Sequence, residues 1–349
     1  MAQRRQSMRT DGGGPVTLEV VAQAAGVSRA TVSRVVNGGD RVNPTTRRAV
    51  QRAIERLDYS PNRAARSLVT RRSDSIGLVI PEPTTRLFGD PFFPRLVRGI
   101  SEVLSARSLQ LVLFAPQSRA DEERLRGYLV SGHVDGSLLV SLHGDDPMPG
   151  YLAAAGVPVV VGGRPPTGVS VSYVDMDNVH GARSAVQHLA SLGRRHIATI
   201  TGPLDMAVAA DRLQGYREAL GAAGIGHDPD LEAGGDFGQE LARQRFQDLL
   251  KRHPEIDAVF AASDLMALGA LQALRVAGRS VPGDVAVVGF DDSTIAALAD
   301  PPLSSVRQPI EEMGREMIRL LLDSLASRAR VSRRLILATE LVVRASSGG

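Results

Sequence analysis

The chain contains no cysteine, no tryptophan and a single lysine, Lys251, among its 349 residues. Without cysteine the protein can form neither disulfides nor thiolate metal sites. No apolar run approaches the roughly 20 residues that a membrane-spanning helix needs, and the polar start at Met1 lacks the apolar core of a signal peptide. These absences predict a cytoplasmic protein that does not insert into a membrane.

Sequence motifs of common enzyme classes are missing as well. The seven histidines show no metal-ligand spacing, and the chain has no Gly-x-Ser-x-Gly elbow and no phosphate-binding P-loop. No Gly-x-Gly-x-x-Gly follows a predicted strand. We therefore expect no catalytic residues, no metal site and no cofactor.

The charge is distributed unevenly along the chain. Residues 1–72 contain fourteen arginines and five carboxylates, whereas the remaining residues contain 27 basic and 33 acidic side chains. A basic segment joined to a weakly acidic remainder is typical of a nucleic-acid-binding protein. The alternative is an ordinary helical bundle with surface arginines, and the charge imbalance argues against it.

Residues 16–60 show the pattern of three short helices. Thr17 is expected to cap the first helix, Gly26 to end it in a left-handed turn, and Ser28 to cap the second. Asn43 precedes a proline and marks the start of the third helix. The outward face of the second helix carries arginine and hydroxyl side chains, which is what a helix lying in the DNA major groove requires.

Two further segments flank these helices. Residues 1–15 are predicted to be a flexible basic tail. Residues 61–74 are rich in arginine and alanine and would form only about two helical turns, too few to be stable alone in water. This segment is either a solvated linker or a hinge helix that folds only with DNA and a second copy. Leu68, a large apolar side chain among arginines, suits a wedge into the minor groove.

From residue 75 onward, apolar runs alternate with amphipathic helices. The predicted strands are Ile76–Ile80, Leu109–Phe114, Gly136–Val140, Val157–Val161, His196–Thr201, Asp257–Ala261 and Val285–Gly289. The predicted helices are Phe93–Leu104, Asn178–Leu192, Asp211–Ala223, Leu241–Leu250, Leu265–Val276 and residues 308–327. This alternation predicts parallel sheets covered by helices, and the number of strands favours two sheets. Two such lobes leave a ligand cleft at the carboxyl ends of their strands.

Residues 16 to about 82 resemble the LacI/GalR (lactose-repressor) family of bacterial transcription regulators, and the likeness continues through the rest of the chain. The matching motifs are Val16-Thr17-Leu18, Ala25-Gly26-Val27-Ser28, Thr31-Val32-Ser33-Arg34-Val35-Val36-Asn37, Tyr59-Ser60-Pro61-Asn62 and Ser75-Ile76-Gly77. The resemblance implies an all-α helix-turn-helix head with a hinge helix, joined to an α/β body of two doubly wound parallel-sheet lobes like those of periplasmic binding proteins.

The resemblance also implies how residues 75–349 divide into an effector-binding domain of two lobes. Lobe one is expected at about 75–174 and 304–335, and lobe two at about 175–303 and 336–349. The chain would then cross between the lobes near Val174, Leu303 and Leu335.

For DNA, the resemblance implies contacts from the second helix and the hinge. The candidate residues are Thr17, Ser28, Arg29, Ala30, Thr31, Ser33, Arg34, Asn37, Tyr59, Asn62, Arg63, Ala65 and Leu68. Arg34 is the best candidate for a bidentate contact to guanine, whereas Arg29 could reach a phosphate instead. The position of Leu68 predicts a palindrome centred on a CpG step.

For the effector, the resemblance and the residue chemistry give a second set of candidates. They are Phe88, Asp90, Phe92, Phe93, Arg164, Arg212, Ser263 and Asp291. A guanidinium that donates and a carboxylate that accepts, as at Arg212 and Asp291, suit the hydroxyls of a sugar. A plain surface ion pair is the alternative for those two residues. Asp264 either caps its helix or touches the ligand, and the sequence leaves both interpretations open.

These observations predict a dimeric transcription factor, a repressor, that reads a palindromic DNA operator and responds to a small molecule. A sugar is the favoured effector, and a purine or nucleoside is the alternative. A periplasmic solute-binding protein is the rival from another class, but it would need an export signal and no basic head. The end of the chain, Arg344–Gly349, lacks the leucine repeat of tetrameric relatives, which favours a dimer. Such a protein would be cytoplasmic and associated with the nucleoid.

Overall fold

Three helices form the first part of the chain in the computed structural model, which describes residues 16–36, 42–59, 72–327 and 331–348. They are α1 (Leu18–Ala25), α2 (Arg29–Val36) and α3 (Pro44–Leu57). Their shared core consists of Val21, Ala22, Val32, Val35, Val50, Ala53 and Tyr59. The chain divides after Ser73 into two compact units, and these helices belong to the first.

The helix ends follow the predicted signals with one exception. Gly26 adopts φ +65° and ends α1 in the left-handed conformation that glycine accommodates without strain. The backbone N–H of Thr31 donates to Ser28 Oγ at 3.2 Å, and that of Thr45 donates to Asn43 Oδ1 at 2.8 Å. Thr17 occupies the N-cap position of α1, but its hydroxyl makes no capping hydrogen bond, so that part of the prediction is wrong.

The second unit is built from alternating strands and helices. The strands are β1 (Ser75–Val79), β2 (Gln110–Phe114), β3 (Gly136–Val140), β4 (Val159–Gly162), β5 (Ser172–Met176), β6 (Ile197–Thr201), β7 (Glu232–Gly234), β8 (Ala258–Ala261), β9 (Ala286–Asp291), β10 (Ser304–Arg307), β11 (Arg334–Leu337) and β12 (Glu340–Val342). The helices are α4 (Thr84–Gly89), α5 (Phe92–Ser105), α6 (Arg119–Val130), α7 (Met148–Ala154), α8 (Asn178–Ser191), α9 (Ala207–Ala222), α10 (Gln239–Arg252), α11 (Asp264–Val276), α12 (Thr294–Leu298) and α13 (Ile310–Ala326). None of the helices in the described ranges is long and apolar enough to cross a membrane.

Two six-stranded sheets define the two lobes. The order in lobe one is β11-β5-β4-β3-β1-β2, and the order in lobe two is β12-β10-β9-β8-β6-β7. All pairings are parallel except that of β10 with β12. The predicted fold class, a helical head and two doubly wound parallel-sheet lobes, is therefore confirmed for the described residues.

The strand pairings place the lobe boundaries a few residues later in the chain than the sequence predicts. β5 pairs in lobe one through Met176, so the first crossing follows that residue instead of Val174. β10 pairs with β9 of lobe two, so residues 304–307 do not belong to lobe one as expected. β11 lies in lobe one through Leu337, and the third crossing follows it. The sequence Ser-Ser-Val-Arg of β10 is not an apolar run, so no local pattern marks it as a strand of lobe two.

Helix α9 also begins earlier than predicted. It starts at Ala207 instead of Asp211, so Arg212 lies within the helix and not at its opening turn. Both side chains are buried, with relative exposures of 7% for Asp211 and 5% for Arg212. The other predicted helices agree with the structure to within about two residues at each end, the usual uncertainty of helix boundaries.

Two glycines let α5 and α13 cross closely in lobe one. A Cβ atom added at Gly99 would lie 2.0 Å from the carbonyl oxygen of Glu311, and one at Gly314 would lie 2.5 Å from that of Leu96. Backbone atoms of packed helices cannot give way as a flexible side chain can. The contact of these two helices therefore requires glycine at both positions.

We expect Gly99→Ala to lower the free energy of unfolding by roughly 1–3 kcal/mol, because the new methyl group overpacks a backbone contact. Gly127→Ala is the matched control, since a Cβ atom at Gly127 on α6 meets nothing within 4 Å. That control should raise stability by up to about 1 kcal/mol through helix propensity. Chemical denaturation of both variants measures the difference. Equal stabilities would contradict the close crossing.

Candidate DNA-reading helix and effector cavity

The exposed face of α2 presents the side chains predicted to read DNA. Arg29, Ala30 and Arg34 are exposed, while Thr31 and Ser33 are half-buried beside them. The opposite face of the helix is buried through the valines of the core. This arrangement leaves the arginines available for base edges or phosphates, as a recognition helix requires.

Arg29 makes an ion pair within the first unit. Its Nε lies 2.9 Å from Glu19 Oε1 on α1, and both side chains are more than half exposed. Ion pairs at such exposed positions contribute little free energy. The pair therefore holds Arg29 only weakly, and the guanidinium can exchange this carboxylate for a phosphate.

Tyr59 is not on the predicted DNA-facing surface. Its side chain is 8% exposed and packs in the core of the three helices. Burial there raises the pKa of its phenol. Its place in the family motif is thus explained by packing. Asn37, Asn62, Arg63, Ala65 and Leu68 lie outside the described residues, as do most of the predicted hinge and the predicted tail.

A cavity of about 760 Å³, including the part open to solvent, lies between the two lobes. We call it the inner cavity. Seven of the eight predicted effector residues line it, namely Asp90, Phe92, Phe93, Arg164, Arg212, Ser263 and Asp291. Phe88 does not line it, and its side chain is 73% exposed on α4.

Arg212 is held rigidly in the wall of the inner cavity. Its Nε donates to Asn178 Oδ1 at 2.9 Å, and its Nη1 donates to the carbonyl oxygen of Ala262 at 2.6 Å. Its Cζ lies 3.8 Å from the centroid of the Phe290 ring, a cation–π contact. Burial lowers the pKa of Arg212, and nearby carboxylates, Asp291 first among them, oppose that effect.

Three carboxyl groups face the same cavity, and burial raises the pKa of each. The pKa of Asp291 lies well above its ordinary value, although the charge of Arg212 opposes the shift. The pKa of Asp175 is raised to about 6, and that of Asp90 is raised in the same direction. Asp291 accepts a hydrogen bond from Gln308 Nε2 at 2.5 Å. Each of these carboxyl groups can accept hydrogen bonds. Ionising such a buried group costs free energy unless a bound molecule donates hydrogen bonds to it.

Aromatic rings supply the apolar part of the cavity. Phe92 and Phe93 of lobe one meet edge to face, with ring centroids 5.4 Å apart and an interplanar angle of 89°. Phe93 is 2% exposed and also packs in the core of lobe one. Phe237 faces them from lobe two, where it is packed against Gly202, since a Cβ atom at that glycine would lie 2.2 Å from its ring.

One side of the cavity is closed by contacts between the lobes. Arg164 Nη2 of lobe one donates to Asp211 Oδ1 of lobe two at 2.6 Å. Arg95 of lobe one donates through Nη1 to the carbonyl oxygen of Asp291 at 3.3 Å. Asp291 itself has φ +117°, a backbone conformation that residues other than glycine rarely adopt. The strained residue is thus fixed from both lobes, which is common at ligand sites.

The structure answers the open question on Asp264. Ser263 caps α11, because its Oγ accepts from the backbone N–H of Met266 at 3.1 Å. Asp264 is 1% exposed and accepts from Ser305 Oγ and from the backbone N–H and Oγ of Ser293. It is neither the cap nor part of the inner cavity wall. It anchors the loop after Asp291.

The prediction from sequence missed several residues of the cavity. The residues that line it without having been predicted are Arg86, Asp175, Asn178, Phe237 and Gln308. Asn178 follows the first crossing, and Gln308 follows β10 at the second, so both stand where the lobes meet. Only knowledge of the crossing positions would have pointed to them.

Asp175→Asn should stabilise the unliganded protein at pH 7 by up to about 3 kcal/mol. The folded state raises the pKa of Asp175 from 3.8 to about 6, so folding binds a proton there. The contribution of Asp175 to stability therefore falls as the pH rises between those two values. Asparagine can still accept from Met176 N, as Asp175 Oδ1 does.

Thermal unfolding of the wild type and the variant across this pH range checks the prediction. The difference should be largest above pH 6 and should vanish as the pH approaches 3.8. A variant that is less stable than the wild type at every pH would show that the ionised carboxylate is favourable where it lies.

The comparisons with known proteins agree with one another and cover most of the chain. Residues 17–62 match the family described as bacterial regulatory proteins, lacI family, and residues 186–347 match the periplasmic binding protein-like domain. The HTH-type transcriptional regulator CelR of Thermobifida fusca is 56% identical over 333 residues, which cover 95% of this chain and 98% of that protein. The HTH-type transcriptional repressor CytR of Escherichia coli (strain K12) is 33% identical over 341 residues, covering 95% and 96%.

Solved structures show the same architecture. A complex of CelR with cellobiose superposes with a TM-score of 0.76 at 53% identity and covers 95% of this chain and 99% of its own. The lac repressor dimer bound to operator and an anti-inducer superposes with a TM-score of 0.85 at 29% identity, again covering 95% and 99%. On the strength of these matches, this chain belongs to the LacI family of bacterial regulatory proteins and is a DNA-binding transcriptional regulator.

Proposed function

We propose that this regulator is a repressor that binds a palindromic operator as a dimer and releases it when a sugar occupies the inner cavity. The observation that carries the proposal is the arrangement around Arg212. A buried, rigidly held guanidinium faces three carboxyl groups, and phenylalanine rings line the same space. Protein and operator meet in the cytoplasm, at the nucleoid.

The chemistry of the cavity matches that of a sugar. Each hydroxyl both donates and accepts a hydrogen bond, so a ring of hydroxyls is satisfied by neighbouring guanidinium and carboxylate groups. The apolar faces of a pyranose ring pack on aromatic side chains such as Phe92 and Phe237. The relative CelR has been solved with cellobiose, so we infer that a glucose disaccharide is the first effector to test.

Control of DNA binding requires the sugar to distinguish two lobe arrangements. A ligand shifts an equilibrium only through a difference in its affinity for the two states. Here the cavity walls come from both lobes, with Asp90 on one and Arg212 on the other. A sugar that bridges these side chains therefore favours the arrangement that brings them together, and we propose that this arrangement disfavours the operator complex.

We expect cellobiose, among a panel of sugars, sugar phosphates, nucleosides and purines, to raise the unfolding temperature and to displace operator DNA. Arg212→Ala and Asp291→Asn should each weaken effector binding by about 10-fold to 100-fold, because the first removes a charged donor and the second replaces a carboxyl group by an amide with one acceptor fewer. Asp291→Asn is included because it preserves the size of a buried side chain. Calorimetric titration measures the affinities.

Arg195→Ala, an exposed substitution outside the cavity, is the control and should leave the affinity unchanged. A nucleoside or purine that binds while no sugar does would replace the sugar in this proposal. Binding of cellobiose with the same affinity to all four proteins would place the sugar elsewhere on the molecule.

For DNA, Arg34→Ala should reduce affinity for the selected palindrome by about 1–3 kcal/mol and relax the preference at one base pair of each half-site. Arg52→Ala, which removes an exposed arginine of α3, should change affinity without altering base preference. Sequencing of operators selected from a random library by each protein, at fixed salt, measures both effects. An unaltered base preference for the Arg34 variant would rule out its proposed contact to guanine.

A further inference from the structure

Two loops from opposite lobes meet outside the inner cavity. His143 lies in the loop after β3 of lobe one, and Asp205 lies in the loop between β6 and α9 of lobe two. His143 Nδ1 lies 2.9 Å from Asp205 Oδ2, and the backbone N–H of Gly144 donates to the carbonyl oxygen of Asp205 at 2.9 Å. Neither His143 nor Asp205 lines the inner cavity. These contacts therefore join the lobes without belonging to the effector site.

The second ring nitrogen of His143 faces another carboxylate. His143 Nε2 lies 3.2 Å from Oε1 of Glu82, which is 3% exposed in the loop after β1. Glu82 also accepts from Ser141 Oγ at 2.5 Å and from Arg86 Nη1 at 2.6 Å. Burial opposes the ionisation of Glu82, but these hydrogen bonds and the charge of Arg86 outweigh burial and lower its pKa. The imidazole thus lies between a buried carboxylate of its own lobe and a carboxylate of the other lobe.

Only a protonated imidazole satisfies both carboxylates. An ionised carboxylate accepts hydrogen bonds and cannot donate them, so each one requires an N–H on the ring nitrogen that faces it. A neutral imidazole has a single N–H, and its other nitrogen would present a lone pair to the second carboxylate. The hydrogen bond to Glu82 raises the pKa of His143, and Asp205 adds to this effect while burial opposes it. Loss of the proton therefore removes one of the two contacts.

The other charged groups near His143 also favour the protonated ring. His143 lines a second cavity of about 1,140 Å³, including open solvent, whose wall holds Arg86 of α4, Glu122 of α6, Asp146 of the same loop and Asp236 of lobe two. Within the described ranges, Arg86 is the one arginine in that wall, and it is paired with Glu82. The remaining charged groups are carboxylates, which stabilise a cation.

The contact that deprotonation removes is the one between the lobes. Glu82 is buried, so a loss of its donor would leave an ionised group without hydration. The side chain of Asp205 is 51% exposed and can be hydrated instead. A neutral His143 therefore keeps its N–H on Glu82 and turns its lone pair toward Asp205, which repels it.

We propose that His143 is a protonation-controlled latch, which holds the two lobes together through Asp205 when its imidazole is charged and releases them when it is neutral. The consequence for regulation rests on the proposed function, in which the sugar favours the arrangement that brings the lobes together. Protons and sugar then stabilise the same arrangement, and each raises the affinity for the other. A fall in pH therefore strengthens effector binding and favours release of the operator.

Hydrogen exchange at the Gly144 amide tests the latch without any sugar. This N–H is protected only while it donates to Asp205 across the cleft. In the unliganded wild type we expect its protection, corrected for the intrinsic dependence of exchange on pH, to be about fivefold higher at roughly pH 5.5 than at roughly pH 8.5. Quenched-flow labelling with residue-resolved mass spectrometry measures it.

Two variants should abolish this difference for different reasons. His143→Gln keeps a polar side chain that does not titrate in this range. Asp205→Asn supplies an amide that accepts from the charged imidazole and donates to the neutral one, so the bridge survives loss of the proton. His253→Gln is the matched control, because His253 Nδ1 lies 3.1 Å from Glu255 Oε1 within lobe two alone. It should retain the difference seen in the wild type.

Equal protection of Gly144 at both pH values in the wild type would overturn the latch. The same conclusion would follow if His143→Gln retained the full difference, because the titrating group would then be another residue.

Calorimetric titration with cellobiose at the same two pH values tests the coupling to the effector. Buried carboxyl groups of the inner cavity, such as Asp175, have raised pKa values as well, so the wild type must be compared with His143→Gln. We expect the ratio of the affinity at low pH to that at high pH to be about fivefold larger in the wild type. Equal ratios in the two proteins would overturn the coupling.

The outcomes also distinguish this inference from the proposed function. If no sugar binds at either pH while the protection of Gly144 still depends on His143, the proposed function fails and the latch stands. If cellobiose binds while that protection does not change with pH, the sugar assignment stands and the latch is overturned.

Discussion

The organisation of the cleft depends on keeping one positive charge, that of Arg212, away from water. A buried cation is tolerated only when hydrogen bonds and opposite charges replace its hydration. Asn178 and the main-chain carbonyl of Ala262 accept hydrogen bonds from the guanidinium, and the Phe290 ring covers one face of it. Carboxyl groups from both lobes complete the compensation, with Asp291 on lobe two and Asp90 on lobe one. A charge that is neutralised from two sides links the lobes electrostatically even though it belongs to only one of them.

The same constraint explains why the site is held by so many polar groups outside the cavity. Asp291, which faces Arg212, has a backbone φ of +117°, and Asp264 holds the loop that follows it by accepting hydrogen bonds from Ser293 and Ser305. Burial raises the pKa of Asp264 to about 6, so this anchor is itself a source of instability at neutral pH. Strain and buried charge are tolerated here because the large apolar cores of both lobes stabilise the fold elsewhere.

The sequence predicted the strands and site residues that a local pattern or motif marks. It missed those that are recognisable only from the order in which the strands pair. Strands with continuous apolar runs, such as Ile76–Ile80, were recognised, whereas β10, with two buried serines, was not. The hydroxyl of Ser304 is satisfied by Ser347 near the end of the chain, and that of Ser305 donates to Asp264, so neither pairing is visible in the local pattern. Arg212 and Asp291 were identified through the family resemblance. Phe237 and Arg86 could not be, because they lie in segments with no periodic pattern and meet only after both lobes have formed.

The two recognition surfaces of this regulator differ in their coupling to stability. The exposed side chains of α2, which we propose contact DNA, project from the core, and the Arg29–Glu19 pair is exposed. Substitution there should therefore alter the proposed DNA contacts at little cost to folding. The cavity residues are buried in shared hydrogen-bond networks, where one substitution leaves another polar group without a partner. Operator preference can therefore diverge by single substitutions among relatives, whereas a change of effector requires several cavity residues to change together.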